Sequence, residues 1–282
     1  MASSRMSYLQ VTPLVMVMLL FLVFPVLTIV VVSFWDFNAY SLIPDLIWDN
    51  YEFLLTSSVT LKAYLTTLFY ALTTWLITFV LGFTVAYYLA FHIRSPVIQG
   101  LMFVLCTIPF LTSNIIRMIS WIPLLGRNGL VNSGLQGMGL TSEPVEWLLY
   151  SDFSVILAFV HLYTLFMVIP VFNSMMRIDR NLVEAAIDAG ASTWQTIVRI
   201  ILPLCKSGIA IGSIFVVTLV MGDFITVRLM SGGLSASVGV LIHNEISLLQ
   251  YPAAAAGAVV LLLTVLLLLT ILFRFINIRQ EL

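Results

Sequence analysis

The chain has 282 residues, 61% of them hydrophobic and 9% charged, which excludes an ordinary soluble domain and indicates a membrane protein. Twelve Lys and Arg stand against 13 Asp and Glu, a net charge of −1 that offers no footprint for nucleic acid.

A bilayer core about 30 Å thick needs roughly 20 apolar residues of helix, and the sequence supplies that length repeatedly. The first predicted span, residues 11–32, is uncharged and contains Pro13 and Pro25. It is longer than a signal-peptide core and has no convincing A-x-A site, so it is expected to remain as an anchor. Residues 34–62 form a long connection whose Trp35 and Trp48 suit a membrane–water boundary. The second span, 63–91, is uncharged and ends at His92 and Arg94. Ser95 is placed to cap the third, 96–116, with Pro96 in its first position and Pro109 predicting a kink.

A second long connection carries Trp121 and Trp147 and leads to the fourth span, 153–176, which contains His161 and Pro170. The fifth, 206–227, stays apolar until Asp223, and the sixth, 252–273, is a Leu/Val/Ala run closed by Arg274 and Arg279. The expectation is an all-α membrane protein of six transmembrane helices forming one domain over 1–282. With the N-terminus inside, Arg5, Arg94, Arg177, Arg180, Arg199, Lys206, Arg274 and Arg279 are cytoplasmic, against Lys62, Arg117, Arg127 and Arg228 outside. The positive-inside rule therefore places both termini in the cytoplasm, and the outer segments become predominantly acidic.

Between the fourth and fifth spans lies the longest interruption of apolar sequence that looks arranged for docking, NLVEAAIDAGASTWQTIVRIILP at 181–203. Asn181 with Glu184, and Ser192 with Gln195, have the spacing of capping boxes. Gly190 falls where the first helix should turn off, and Pro203, lacking an N–H, should discourage further helix. Leu182, Ala185, Ala186 and Ala189 share one helical face, and Trp194, Ile197, Val198 and Ile201 share another. Small alanines permit the close approach of a partner. An amphipathic segment lying in the membrane interface has the same pattern.

Covalent chemistry lacks its usual signals. No G-x-x-x-x-G-K-[ST] loop, H-E-x-x-H helix or G-x-S-x-G elbow occurs, and His92, His161 and His243 are scattered. Cys106 and Cys205 fit neither a disulfide framework nor a metal site. No catalytic residue, metal or cofactor is assigned, and energy must enter from a gradient or from another subunit.

Ionisable groups within spans are costly and call for a role. Asp223 suits a cationic group in a water-filled path, for which Arg117 is a further candidate lining residue, or a structural pair with Arg117. Asn114 can add hydrogen bonds beside Arg117. Tyr88 and Tyr163 can hold an alkylammonium through their ring faces, or simply pack. His161 is expected to make a contact between helices rather than to relay protons.

Glu184, Ala185, Ala186, Gly190, Ile200, Leu202 and Pro203 resemble, at fixed offsets, the EAA signature of permease subunits of binding-protein-dependent ABC importers. The six-span pattern extends that resemblance over nearly the whole chain and implies the type I importer permease fold in a bacterial cytoplasmic membrane. It further implies a second permease subunit, homologous but different, two cytoplasmic ATPases that bind ATP and Mg and dock on 184–203, and an extracytoplasmic solute-binding protein. The stretches IPFLTSNIIR, Gly222-Asp223-Phe224 and NLVEAAIDAGAS look like the spermidine/putrescine branch, while opine, iron(III) and phosphonate branches share much of the pattern. A gradient-driven carrier and a membrane scaffold that only recruits a partner are the competing readings.

Overall fold

The computed structural model describes residues 11–38 and 41–276. Arg5 and Arg279, which enter the orientation count, lie outside the described residues. The described chain is mostly helical. Among the described residues four helices are long and apolar enough to cross a membrane, and two further bent pairs raise the number to six if each pair is one span. The departure from all-α among the described residues is a hairpin of two-residue strands, with Asp36 opposite Ile43 and Phe37 opposite Leu42.

In chain order the elements used below are α1 (Val11–Val32), α2 (Ser58–His92, its last turn a π turn from Tyr88), α3 (Pro96–Thr107), α4 (Asn114–Ile119) and α5 (Asp152–Met175). They continue as α6 (Arg180–Asp188), α7 (Thr193–Leu204), α8 (Lys206–Gly222), α9 (Ile225–Met230), α10 (Val238–Ser247) and α11 (Tyr251–Ile276). The chain divides into two compact units, one drawn from residues up to Ala63 with Leu241–Thr264, the other from Tyr64–Val240 with residues from Val265 on.

In the first unit the chain leaving α1 is tied down by Asn50, whose side-chain amide donates to the Ser33 and Trp35 carbonyls at 3.1 and 2.9 Å. Trp48 belongs to a ring cluster with Phe34 and Tyr51.

In the second unit the core is built where α5 meets α8 and α2. Ser151 and Ser154 form a reciprocal capping box that starts α5. Gly208 and Gly212, four residues apart, lie against Pro170 and Met167, and a Cβ on either would come within 3 Å of α5. Small residues at this spacing let two apolar helices approach closely enough for dispersion contacts to hold them without a hydrophobic drive in lipid. From α2, Gly82 meets the same Met167, which is fully buried, and Trp75 donates to the Ser213 hydroxyl of α8 at 2.7 Å.

Two predicted spans differ from their expected course. The third does not run as one kinked helix to Ile116. α3 ends at Thr107, a 3-10 turn covers Ile108–Leu111, and the helices from Asn114 on leave at 90°. Pro109 supplies no N–H, Thr112 is extended, and its hydroxyl donates back to the Pro109 carbonyl at 2.8 Å, so the turn is closed locally. The fifth stops at Gly222 instead of 227, because Asp223 is extended and the next short helix starts only at Ile225, after Phe224.

Candidate functional site

Segment 181–203 folds as helix, glycine turn, helix. The predicted cap moves by two residues: Asp179, not Asn181, is the N-cap of α6, accepting from the Asn181 N–H at 3.0 Å. Both residue types cap well, and the one whose backbone is extended takes the position. At the other end Gly190 has φ +84, with Gly190 N–H bonded to the Ile187 carbonyl at 2.9 Å and Ala191 N–H to the Ala186 carbonyl at 3.0 Å. This is the complete Schellman pair of bonds, which needs a left-handed residue at its centre.

Ser192 and Gln195 then make the predicted capping box, at 3.3 and 2.9 Å. Pro203 does not end α7. Ile197–Ile201 is a π turn whose bonds finish at Leu202, and Pro203 sits early in the next turn, where its missing N–H is tolerated. The break comes at Cys205, and α8 departs at 73°.

With its backbone ends satisfied internally, this segment leaves side chains outside. Leu182, Glu184, Ala185 and Ile187 are exposed on α6, and Trp194 on α7 is 72% exposed. Ile200, Leu202 and Pro203 are half-buried and lead into the buried Ile201 and Cys205. An apolar surface that completes its own hydrogen bonds is suited to dock another surface without unpaired polar groups.

At the far end of α8, roughly 25 Å along a helix of this length, lies a polar cluster. The Asp223 carboxylate accepts from the Tyr163 hydroxyl at 2.7 Å, the Thr226 hydroxyl at 2.5 Å and the Thr226 N–H at 2.9 Å. A cavity of about 380 Å³ is lined by Asp223, Tyr163, Asn114, Met118, Thr218 and Phe224, among others. Of the two alternatives for Asp223, the structural pair with Arg117 is not formed. The ion pair within 4 Å among the described residues is Arg127 with Glu146, and Asp223 is already held by neutral donors.

Arg117 donates instead to the Asn114 side chain and lies 5.2 Å from the Phe110 ring centre. It is 7% exposed, and its Nε and Nη1 have no partner among the described residues. Tyr88 is elsewhere, in the last turn of α2, stacked on His92. The structure thus brings Asp223, Tyr163 and Asn114 together and leaves Tyr88 apart. Thr226 is absent from the sequence-based candidates, although a hydroxyl three residues after an aspartate is a readable capping signal. His161 accepts from the Trp121 indole N–H at 3.0 Å, the expected contact between segments.

Residues 78–280 match the family described as binding-protein-dependent transport system inner membrane component. The spermidine/putrescine transport system permease protein PotB of Salmonella typhimurium is 31% identical over 96% of this chain and 94% of its own. PotB of Haemophilus influenzae is 35% identical over about half of each, 53% of this chain and 52% of its own. Among solved structures, a chain of a bacterial alginate ABC transporter, in complex with an alginate pentasaccharide-bound periplasmic protein, superposes with a TM-score of 0.75. It covers 97% of this chain and 94% of that one at 19% identity, a shared fold. An EAA-type segment on a bent-span helical scaffold, matched over most of its length, therefore belongs to the binding-protein-dependent inner membrane components, and the chain is a permease subunit of an ABC importer.

Proposed function

We propose that this permease imports a polyamine such as spermidine or putrescine, driven by ATP hydrolysis in separate subunits. The observation that carries the substrate is the carboxylate of Asp223 in the wall of the cavity, with the Tyr163 ring beside it: an anionic oxygen and an aromatic face together suit an alkylammonium group. The PotB relatives, named for spermidine and putrescine, point the same way. Glu184, Ala185, Ala186, Gly190, Ile200, Leu202 and Pro203 form the ATPase-coupling segment. Asp223, Tyr163 and Asn114, with Arg117 behind them, form the solute path, and Tyr88 drops out of it.

The chain acts as one transmembrane permease domain in a bacterial cytoplasmic membrane, with both termini and segment 181–203 inside. It pairs with a homologous second permease. Two ATPases bind ATP and Mg and press on the coupling segments, and a solute-binding protein delivers the cargo from outside. Nucleotide-driven closure then biases a two-state change between inward- and outward-facing arrangements. No cofactor is needed in this chain.

One observation favours a second reading. Arg117 is buried, and two of its donor nitrogens have no partner among the described residues, which suits a solute that also carries an anionic group, as opines and phosphonates do. The test is uptake of labelled spermidine by the purified complex in proteoliposomes, with competition by putrescine and by an opine. Inhibition by putrescine alone supports the polyamine; inhibition by the opine alone overturns it. In the same assay Gly190→Leu, which forces a side chain to φ +84 at a cost of roughly 1–2 kcal/mol, leaves insertion intact and uncouples ATP hydrolysis from uptake. Normal coupling in that variant removes Gly190 from the transmission role.

A further inference from the structure

The last turn of α2 is a π turn, Tyr88–His92, followed by extended Ile93. A helix end leaves carbonyls without an intrahelical donor, and the helix dipole concentrates negative charge there. Here two of those carbonyls, on the buried residues Leu89 and Ala90, are taken by side chains from two other elements. Gln99 of α3 donates to the Leu89 carbonyl at 2.8 Å. Arg180, the first residue of α6, donates from Nη2 to the Ala90 carbonyl at 2.8 Å. Gln99 also approaches the Met176 sulfur, just past the end of α5, at 3.3 Å.

One helix terminus is therefore capped jointly by the start of the docking helix and by the following span. We infer that Arg180 and Gln99 are positioning residues that make the end of α2 move with α6, carrying displacement of the docking helix into α2 and α3. The inference rests on the proposed role of 181–203 as the point where a separate ATPase acts. It adds a route by which that motion enters the spans other than through α7 and α8, which follow α6 along the chain.

Physical chemistry sets what each substitution removes. A guanidinium bonded to a helix-terminal carbonyl combines a charged hydrogen bond with a favourable dipole contact. Lys retains the charge and one donor; Ala retains neither. Gln99→Met keeps side-chain length and removes the amide donor. Because Arg180 is exposed apart from this bond, its loss leaves packing of α6 untouched.

The measurement is ATP hydrolysed per labelled spermidine imported by the assembled complex in proteoliposomes, for wild type, Arg180→Ala, Arg180→Lys and Gln99→Met. Coupling between sites commonly corresponds to about fivefold or more, so Arg180→Ala is expected to raise the ratio by about fivefold and Arg180→Lys to restore most of the difference. Gln99→Met is expected to raise it by a smaller factor, and it carries the test should Arg180→Ala fail to assemble. An unchanged ratio in the variants that assemble, beside a wild type with ATP-driven uptake, overturns this inference alone. Arg180→Lys as impaired as Arg180→Ala does so too. A wild type whose uptake ignores ATP overturns the proposed function and this inference with it.

Discussion

The two ends of α8 handle polarity in opposite ways. At the Lys206 end, the preceding segment closes its hydrogen bonds within itself, through Asp179, the Gly190 turn and the Ser192–Gln195 box, and turns Leu182, Ile187 and Trp194 outward. At the Gly222 end, the Asp223 carboxylate is gripped across elements by Tyr163 and by Thr226 beside a cavity. A surface that satisfies its own backbone can be docked and released without reorganising the fold. A carboxylate held by neighbours from another helix shifts only when those helices shift. The first arrangement suits a partner that comes and goes, and the second suits a site whose geometry must follow the state of the spans.

The comparison depends on α8 being a stiff rod fastened to α5, so the most damaging change is at their contact. Gly208→Leu places a side chain where even a Cβ meets the Pro170 carbonyl oxygen and Ser174. Overpacking of this kind is expected to cost about 3 kcal/mol, seen as a lower unfolding temperature of the purified complex; an unaltered one shows that the helices are not held there. Trp194→Ala removes the exposed aromatic of the proposed docking segment. A central interface tryptophan is worth about 2 kcal/mol, so ATPase affinity should fall roughly 30-fold while the unfolding temperature stays put. A loss of stability instead would make Trp194 a packing residue and erase the contrast between the ends.

Asp223→Asn keeps the size of the side chain and removes its charge. Uptake of labelled spermidine should then require about tenfold more solute, equivalent to about 1.4 kcal/mol, with ATPase binding unchanged. An unchanged uptake constant removes Asp223 from the solute path. The smallest effect belongs to Arg127→Ala. Its ion pair with Glu146 spans 3.8 Å between side chains 72% and 77% exposed, and such pairs contribute little. Stability and uptake should both match wild type, which makes this variant the control for the others.

Legibility in the sequence followed the range of each interaction. The Gly190 turn and the Ser192–Gln195 box could be read because their bonds close within five residues. The sequence points to Asn181 rather than Asp179 as the cap of α6 because either side chain can do the work and backbone conformation decides between them. Pro109 predicts a kink and not a break since a proline shows where a helix is weakened, whereas the angle depends on what the following segment packs against. Gly208 and Gly212 display a small-residue spacing in plain sight, but which helix they meet emerges only when Pro170 and Met167 are set against them. The bonds from Gln99 to Leu89 and from Arg180 to Ala90 join backbone carbonyls to distant side chains. Nothing in residue type announces such a partner. Charge alone leaves an Asp223–Arg117 pair open as an alternative, whereas the structure gives each of them neutral partners nearer in sequence or space.

The account stands on energy entering through the exposed segment between α5 and α8 from a separate ATPase. Uptake of labelled spermidine into proteoliposomes containing the purified complex, measured with and without enclosed ATP and with and without a protonophore, tests this most directly. Uptake is expected to require ATP and to persist when the gradient is collapsed. Uptake that proceeds without ATP and disappears with the protonophore would contradict it.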